Sequence, residues 1–156
     1  MSTEKNEVKL LNKWLRRAKR QQLAHRLSSK KTGKNHLLIG VPATILSAVT
    51  SLFALSSPNS QSIFLLIGSF SLIVSILTSL QTFLKFDLKA KEHQNADIGY
   101  GEIRHSLEET LTFVDTFNQK ELKTECEKIR TKIEYVNNHS PLISENTWST
   151  AKKLTE

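Results

Sequence analysis

Charge is missing from two long stretches of this chain. No Asp, Glu, Lys, Arg or His occurs between Leu37 and Leu55, or between Ile63 and Leu84. That absence excludes a proton relay, a charged filter or a voltage sensor inside either stretch. Cysteine is nearly missing too. Cys126 stands alone, so there is no disulfide framework and no Cys-based zinc site. Its place on an apolar stripe predicts a buried thiol. No P-loop, GxSxG or HExxH pattern occurs. His25, His36, His93, His105 and His139 are scattered without metal-ligand pairing. Glu108 and Glu109 read as solvated helix surface rather than an acid/base pair. Together these absences point away from an enzyme, a metal and a cofactor.

What the two uncharged stretches contain is apolar. Residues 37–55 read LLIGVPATILSAVTSLFAL, and residues 63–84 read IFLLIGSFSLIVSILTSLQTFL. As helices they would be roughly 28 and 33 Å long at about 1.5 Å per residue. The hydrocarbon core of a bilayer is about 30 Å thick. A mean hydropathy of −0.31 conceals this, because it averages the apolar segment with two polar flanks. The second stretch has fourteen Leu, Ile, Val or Phe residues and the first ten, with Gly40 and Pro42 among them. The first is therefore the weaker inserter. A cleaved signal peptide fits poorly, because its leading region would be 36 residues long. A buried hairpin in a soluble helical protein is the other alternative, and two spans of bilayer length without a charge argue against it.

The pattern predicts an all-α membrane protein. Residues 1–36 are a basic N-terminal helix, 37–55 the first transmembrane helix and 56–62 an external loop. Residues 63–84 are the second transmembrane helix and 85–156 a cytoplasmic helical tail. Residues 1–36 hold eleven Lys/Arg against Glu4 and Glu7, whereas residues 85–156 hold eleven against thirteen acids. Lys30, Lys31 and Lys34 precede the first span, and Lys85, Lys89 and Lys91 follow the second. The loop SSPNSQS carries no charge. Basic residues outside the pair and none between predict a multi-pass protein of the inner membrane with both termini cytoplasmic. Pro58-Asn59-Ser60 supplies turn chemistry.

The basic segment has several readings. Leu11, Trp14, Leu15 and Ala18 form an apolar stripe, with Leu23, Ala24 and Leu27 further on. The charge can act as a topology signal, or the helix can lie on anionic headgroups with Trp14 in the interface. It can equally pack its stripe on another helix. Nucleic acid is disfavoured, since one Trp is the only interleaved aromatic and no reader motif appears. Thr32-Gly33 is expected to end this helix.

Small and hydroxyl residues recur on one face of each span. In the second they are Gly68, Ser71, Ser75, Thr78 and Thr82, with Phe70, Ile73, Leu77, Leu80 and Leu84 opposite. In the first they are Gly40, Thr44, Ser47 and Ser51, with Pro42, Leu46, Val49 and Phe53 opposite. Such stripes either pack helices closely or line a watery path between assembled copies. In the tail, His93, Ala96, Tyr100, Ile103 and Leu107 follow helical spacing. That helix is expected to continue directly from the second span. Gly99 and Gly101 mark close packing or a kink. Asn118-Gln119 breaks the helix, and Leu122, Cys126, Ile129, Ile133 and Val136 form a second one that folds back. Residues 137–141, NNHSP, stop it, and Leu142–Glu156 reads as frayed apart from Trp148, which can dock. The tail's stripes are too extensive for so small a flank to bury, so they are expected to help assemble a homo-oligomer.

The basic first helix, the opening LLIGVPATILSAVTSLFAL, the run KAKEHQNADIGYGEIRHSLEETL and the ending IEYVNNHSPLISENTW resemble the SLATT family over about residues 10–145. The matched pattern is the His93/Ala96/Tyr100/Ile103 spacing, which marks packing positions. The resemblance implies two transmembrane helices, a cytoplasmic helix and a pore-forming effector in bacterial anti-phage conflict systems. It also implies a nucleotide-generating or nucleotide-sensing partner protein. The bilayer is the first partner, and a homo-oligomer the expected assembly. The alternative is a non-conducting membrane anchor whose cytoplasmic helices hold a partner.

Overall fold

A computed structural model describes residues 2–56 and 61–155, with side chains from residue 6 onward in the first segment. About 94% of the chain is helical, and no strand occurs among the described residues. The helices are α1 (Ser2–Ser56), α2 (Gln61–Leu84), α3 (Phe86–Thr112), α4 (Gln119–His139) and α5 (Glu145–Thr155), with one 3-10 turn at Val114–Thr116. The Pro58-Asn59-Ser60 turn lies outside the described residues. Contacts divide the chain into two units, residues 31–89 and residues 1–30 with 90–156.

Three helix boundaries differ from expectation. Thr32-Gly33 does not end the first helix, because α1 runs unbroken through it. One interior glycine costs about 1 kcal/mol, too little to stop a helix continued by good formers on both sides. The second span does not pass directly into the tail. Lys85 adopts φ 46 between α2 and α3, although Lys85 N still donates to the Gln81 carbonyl and Lys89 N to the Lys85 carbonyl. Residues 145–155 are not frayed but form α5, whose Thr147 and Ala151 are buried.

The unit of residues 1–30 and 90–156 is a helical bundle. Its core joins Leu11 and Ala18 of α1 to Tyr100, Ile103 and Leu107 of α3 and to Leu122 and Ile129 of α4. Trp14 and Leu15 pack against the same cluster, so the α1 stripe is a protein–protein surface here. The basic residues Lys9, Lys13, Arg16 and Arg17 point outward. Lys19 Nζ reaches Glu108 Oε1 at 3.0 Å and Arg26 Nε reaches Asp97 Oδ2 at 3.1 Å, pairing α1 with α3. The Lys19 hydrogen bond holds the Glu108 carboxyl below its usual range. Burial pushes the Cys126 thiol up.

Helix α4 returns along α3. Its start is set by a capping box: Asn118 Oδ1 accepts from Glu121 N at 2.9 Å, and Asn118 N donates to Glu121 Oε2 at 2.9 Å. Two orphan amides are satisfied at once. Gly99 permits the close approach, since a Cβ there would stand 3.0 Å from Val136 Cγ2. Tyr100 Oη donates to Asn137 Oδ1 at 2.6 Å. Helix α5 meets α1, with the Arg20 guanidinium 5.9 Å from the Trp148 ring centre.

Much of the tail stripe is buried within this unit. The N-terminal part of α1 covers it within one chain, and Tyr100 and Leu107 are core residues, 3% and 0% exposed. Leu107→Ala should lower stability by about 2–5 kcal/mol, seen as a lower thermal midpoint of helical circular dichroism in detergent. Leu142→Ala should leave that midpoint unchanged, because Leu142 is 96% exposed.

Candidate functional site

Two helices among the described residues are long and apolar enough to cross a membrane. Their most apolar windows are only 6% and 0% buried, so neither is a core helix of this chain. Leu37, Leu38, Ile45, Leu52, Phe64, Leu65, Leu72 and Phe83 are all exposed. This uncovered apolar surface is the first element of the site.

Helix α2 runs back along the end of α1. Gln81 Nε2 lies 3.2 Å from His36 Nδ1, and a Cβ on Gly40 would stand 2.8 Å from the same Gln81 nitrogen. At the other end, Thr50 and Phe53 enclose a cavity of about 110 Å3 with Ile63, Leu66, Ile67 and Phe70. The α2 residues turned inward are Ile63, Ile67, Phe70, Val74, Leu77 and Gln81. They alternate at spacings of four and three, the seam of knobs-into-holes packing. Between residues 37 and 55 of α1 the buried positions are Ala43 and Thr50, 6% and 8% exposed.

The small stripes therefore occupy a different place from the seam. Gly68, Ser71, Ser75, Thr78 and Thr82 are all exposed, and nothing lies within 4 Å of a Cβ on Gly68. Thr44, Ser47 and Ser51 are exposed as well, and of the first-span group only Gly40 touches α2. Phe70, opposite the hydroxyl face, lines one cavity with Thr50 and Phe53 of α1, and Leu77 and Leu46 are half-buried. The physical reason is size. The Gln81 side chain fills the space at Gly40, and Phe70 shares a cavity with Thr50 and Phe53, so hydroxyl need not face hydroxyl. Sequence periodicity carried the signal, because 63/67/70/74/77/81 is a complete heptad seam.

Each stripe follows its seam by one residue, about 100° round the helix. In antiparallel helices, rotation in the same chain direction brings both stripes to the same side of the pair. One side thus carries Thr44, Ser47, Ser51, Ser71, Ser75, Thr78 and Thr82. The other, one residue before each seam, carries Pro42, Val49, Leu66, Ile73, Ile76 and Leu80. Most hydroxyl protons on the first side turn inward. Thr44 donates to the Gly40 carbonyl, Ser51 to Ser47, Thr78 to Val74 and Thr82 to Thr78, at 2.9 to 3.0 Å. The hydroxyl oxygens face outward as acceptors.

The tail positions form a second constellation. His93, Ala96, Tyr100, Ile103 and Leu107 are buried on one face of α3. His93 does not stand alone. Its Nδ1 lies 3.0 Å from Nδ1 of His25, and the Tyr100 ring stacks on His25 with centres 5.4 Å apart. His25 was not singled out by its residue type. It falls seven residues after Ala18 and fourteen after Leu11, and that spacing was the available signal. No group of three or more His, Cys, Asp or Glu among the described residues could hold a metal ion.

Comparison with known proteins adds no relative: no family model, curated protein or solved structure matches. The packing assignment has a direct consequence. Ala43→Leu overfills the seam and should lower stability by about 1–3 kcal/mol, seen as a lower thermal midpoint in monomer-preserving detergent. Gly68→Ala meets open space and should be neutral or stabilising by about 0.5–1 kcal/mol.

Proposed function

We propose that this protein is a two-span membrane effector that permeabilises a bilayer as a homo-oligomer, in a bacterial defence or conflict setting as the SLATT resemblance implies. The observation that carries the reading is the two-sided character of the α1/α2 pair. A continuous hydroxyl side is compatible with water, and an apolar side is compatible with lipid. Several copies arranged with hydroxyl sides inward would enclose a neutral path. With no charge in either span, such a path has weak selectivity. Both termini lie in the cytoplasm in this reading, because the excess of Lys and Arg flanks the spans and leaves the loop uncharged. A nucleotide-linked partner would act through the cytoplasmic bundle.

Packing between copies is the competing use of the same side, since small residues let helices approach closely. The anchor reading also has an observation in its favour. A groove of about 600 Å3 opens between α3 and α4, lined by Gly99, Ile103, Tyr135 and Val136 among others.

Purified protein in dye-loaded liposomes separates these readings. Leakage is expected from the wild type, and Ser75→Leu with Thr78→Leu should abolish it while leaving insertion intact. Ile73→Val with Leu80→Val, both on the exposed apolar side, should matter much less. A double Ser75/Thr78 variant that inserts, assembles and leaks normally would show the hydroxyl side to be packing. A wild type that never leaks favours the anchor. Topology is tested separately, with Cys126→Ser and single cysteines at Ser2 or Ser60. A membrane-impermeant thiol reagent on intact cells should label position 60 and spare position 2.

A further inference from the structure

Buried histidines without a carboxylate partner are uncommon, and this bundle buries two against each other. His25 of α1 is 1% exposed and His93 of α3 is 8% exposed. Their Nδ1 atoms are 3.0 Å apart. That contact needs one Nδ1–H donor and one bare Nδ1 acceptor, so it holds only while at least one ring is neutral. A doubly protonated pair would set two N–H groups and two positive charges against each other at a largely buried contact.

The surroundings offer little relief. On α1 the nearest charged group is Arg26, already bonded through Nε and Nη2 to both oxygens of Asp97 at 3.1 and 3.3 Å. On α3 the neighbours are Asp97, Glu92 and Tyr100. Asp97 favours the charged form of His25 but is outweighed by burial and by His93. The side of His25 toward α4 and α5 meets Asn137, Ser140 and Trp148, none of which titrates near neutrality. Ser29 Oγ donates to the Ala90 carbonyl at 2.9 Å, a neutral contact one turn along the same α1–α3 seam.

We propose that the His25–His93 pair is an acid-released clamp: it closes α1 onto α3 while the rings share one proton at Nδ1 and opens that seam when both rings become protonated. Burial first, then His93, lowers the His25 pKa to about 4, and burial lowers that of His93. A histidine whose folded pKa is lowered stabilises the fold in its neutral form. In the unfolded chain the ring takes up its proton first as pH falls. The stabilisation is therefore complete above about pH 6.5 and is lost progressively below it. Full protonation of the pair coincides with separation of α1 from α3.

Nitroxide labels at Lys30 and Gln94, both exposed, read the seam directly in full-length protein held in nanodiscs, with Cys126 replaced by Ser. Wild type should give a narrow, short distance at about pH 7.5 and lose that peak at about pH 4, where His25 takes up its proton. His25→Leu with His93→Leu removes both titrating rings and should keep the narrow peak at both pH values. A double variant that loses the peak as the wild type does would overturn the clamp. Should that variant not fold, ring-carbon NMR of the wild-type histidines decides. Uptake of protons by His25 together with loss of the narrow peak supports the clamp. Protonation of both rings while the peak persists overturns it.

Discussion

An apolar surface with no protein to cover it is the constraint on which the rest depends. Leu55, Leu65, Phe64 and Phe83 are 83%, 69%, 58% and 86% exposed. Apolar area in water costs about 25 cal/mol per Å2, and this surface extends round both helices. Neither the bundle nor the pair itself can hide it. A soluble chain of this size would have folded such helices inward, which is why the near-zero burial of the two stretches matters more than their length. In the proposed arrangement lipid supplies the missing cover, and helix formation satisfies most of the backbone polar groups there, the Leu38 carbonyl facing Pro42 excepted.

The same helix that begins this surface also completes the bundle. Leu11, Ala18 and His25 recur every seven residues on α1, and His93, Tyr100 and Leu107 do the same on α3. Two seven-residue repeats meet, with Leu122 and Ile129 of α4 closing the third side. The fit explains why the basic segment is rich in charge yet ordered. Its Lys and Arg residues crowd the outward face, where their mutual repulsion is relieved by water and, at two points, by Glu108 and Asp97. Exposed pairs of this kind contribute little to stability. The apolar repeat holds the helix.

Much of this was legible in the residues. The uncharged stretches stood out by composition. The start of α4 was announced by Asn118 and its end by Pro141. The α3 stripe followed from a spacing of three and four. Other features were hidden for physical reasons. Gly33 looked like a stop because glycine often terminates helices, but termination needs a competing conformation and none was specified nearby. Helix α5 has few apolar residues, and its docking rests on small Thr147 and Ala151 with Trp148 beside Arg20. Those are tertiary contacts without a periodic signature. The contact face of the α1/α2 pair was not legible, because small and hydroxyl residues at regular spacing suit either close packing or a watery path. Packing follows complementarity of size, so the faces that touch are those where Phe70 and Val74 can sit against smaller neighbours.

That last point bears on what a hydroxyl side can mean in this protein. A serine or threonine in hydrocarbon is costly when its proton has no acceptor. Here Thr44, Ser51, Thr78 and Thr82 each donate to a carbonyl of their own helix. The side is therefore tolerable against lipid in a single chain, with no partner required. Against water it offers a row of oxygen acceptors and no charge. One surface thus suits both a resting chain surrounded by lipid and an assembled one enclosing solvent. The difference in free energy between those two settings is small for a back-bonded hydroxyl, far smaller than for a carboxylate or an ammonium. Under the proposed function, a pore built from such residues would need only a modest bias from the rest of the chain to form or disperse. For that reason control is better sought among the contacts that hold α1 to α3 than among the residues of the spans themselves.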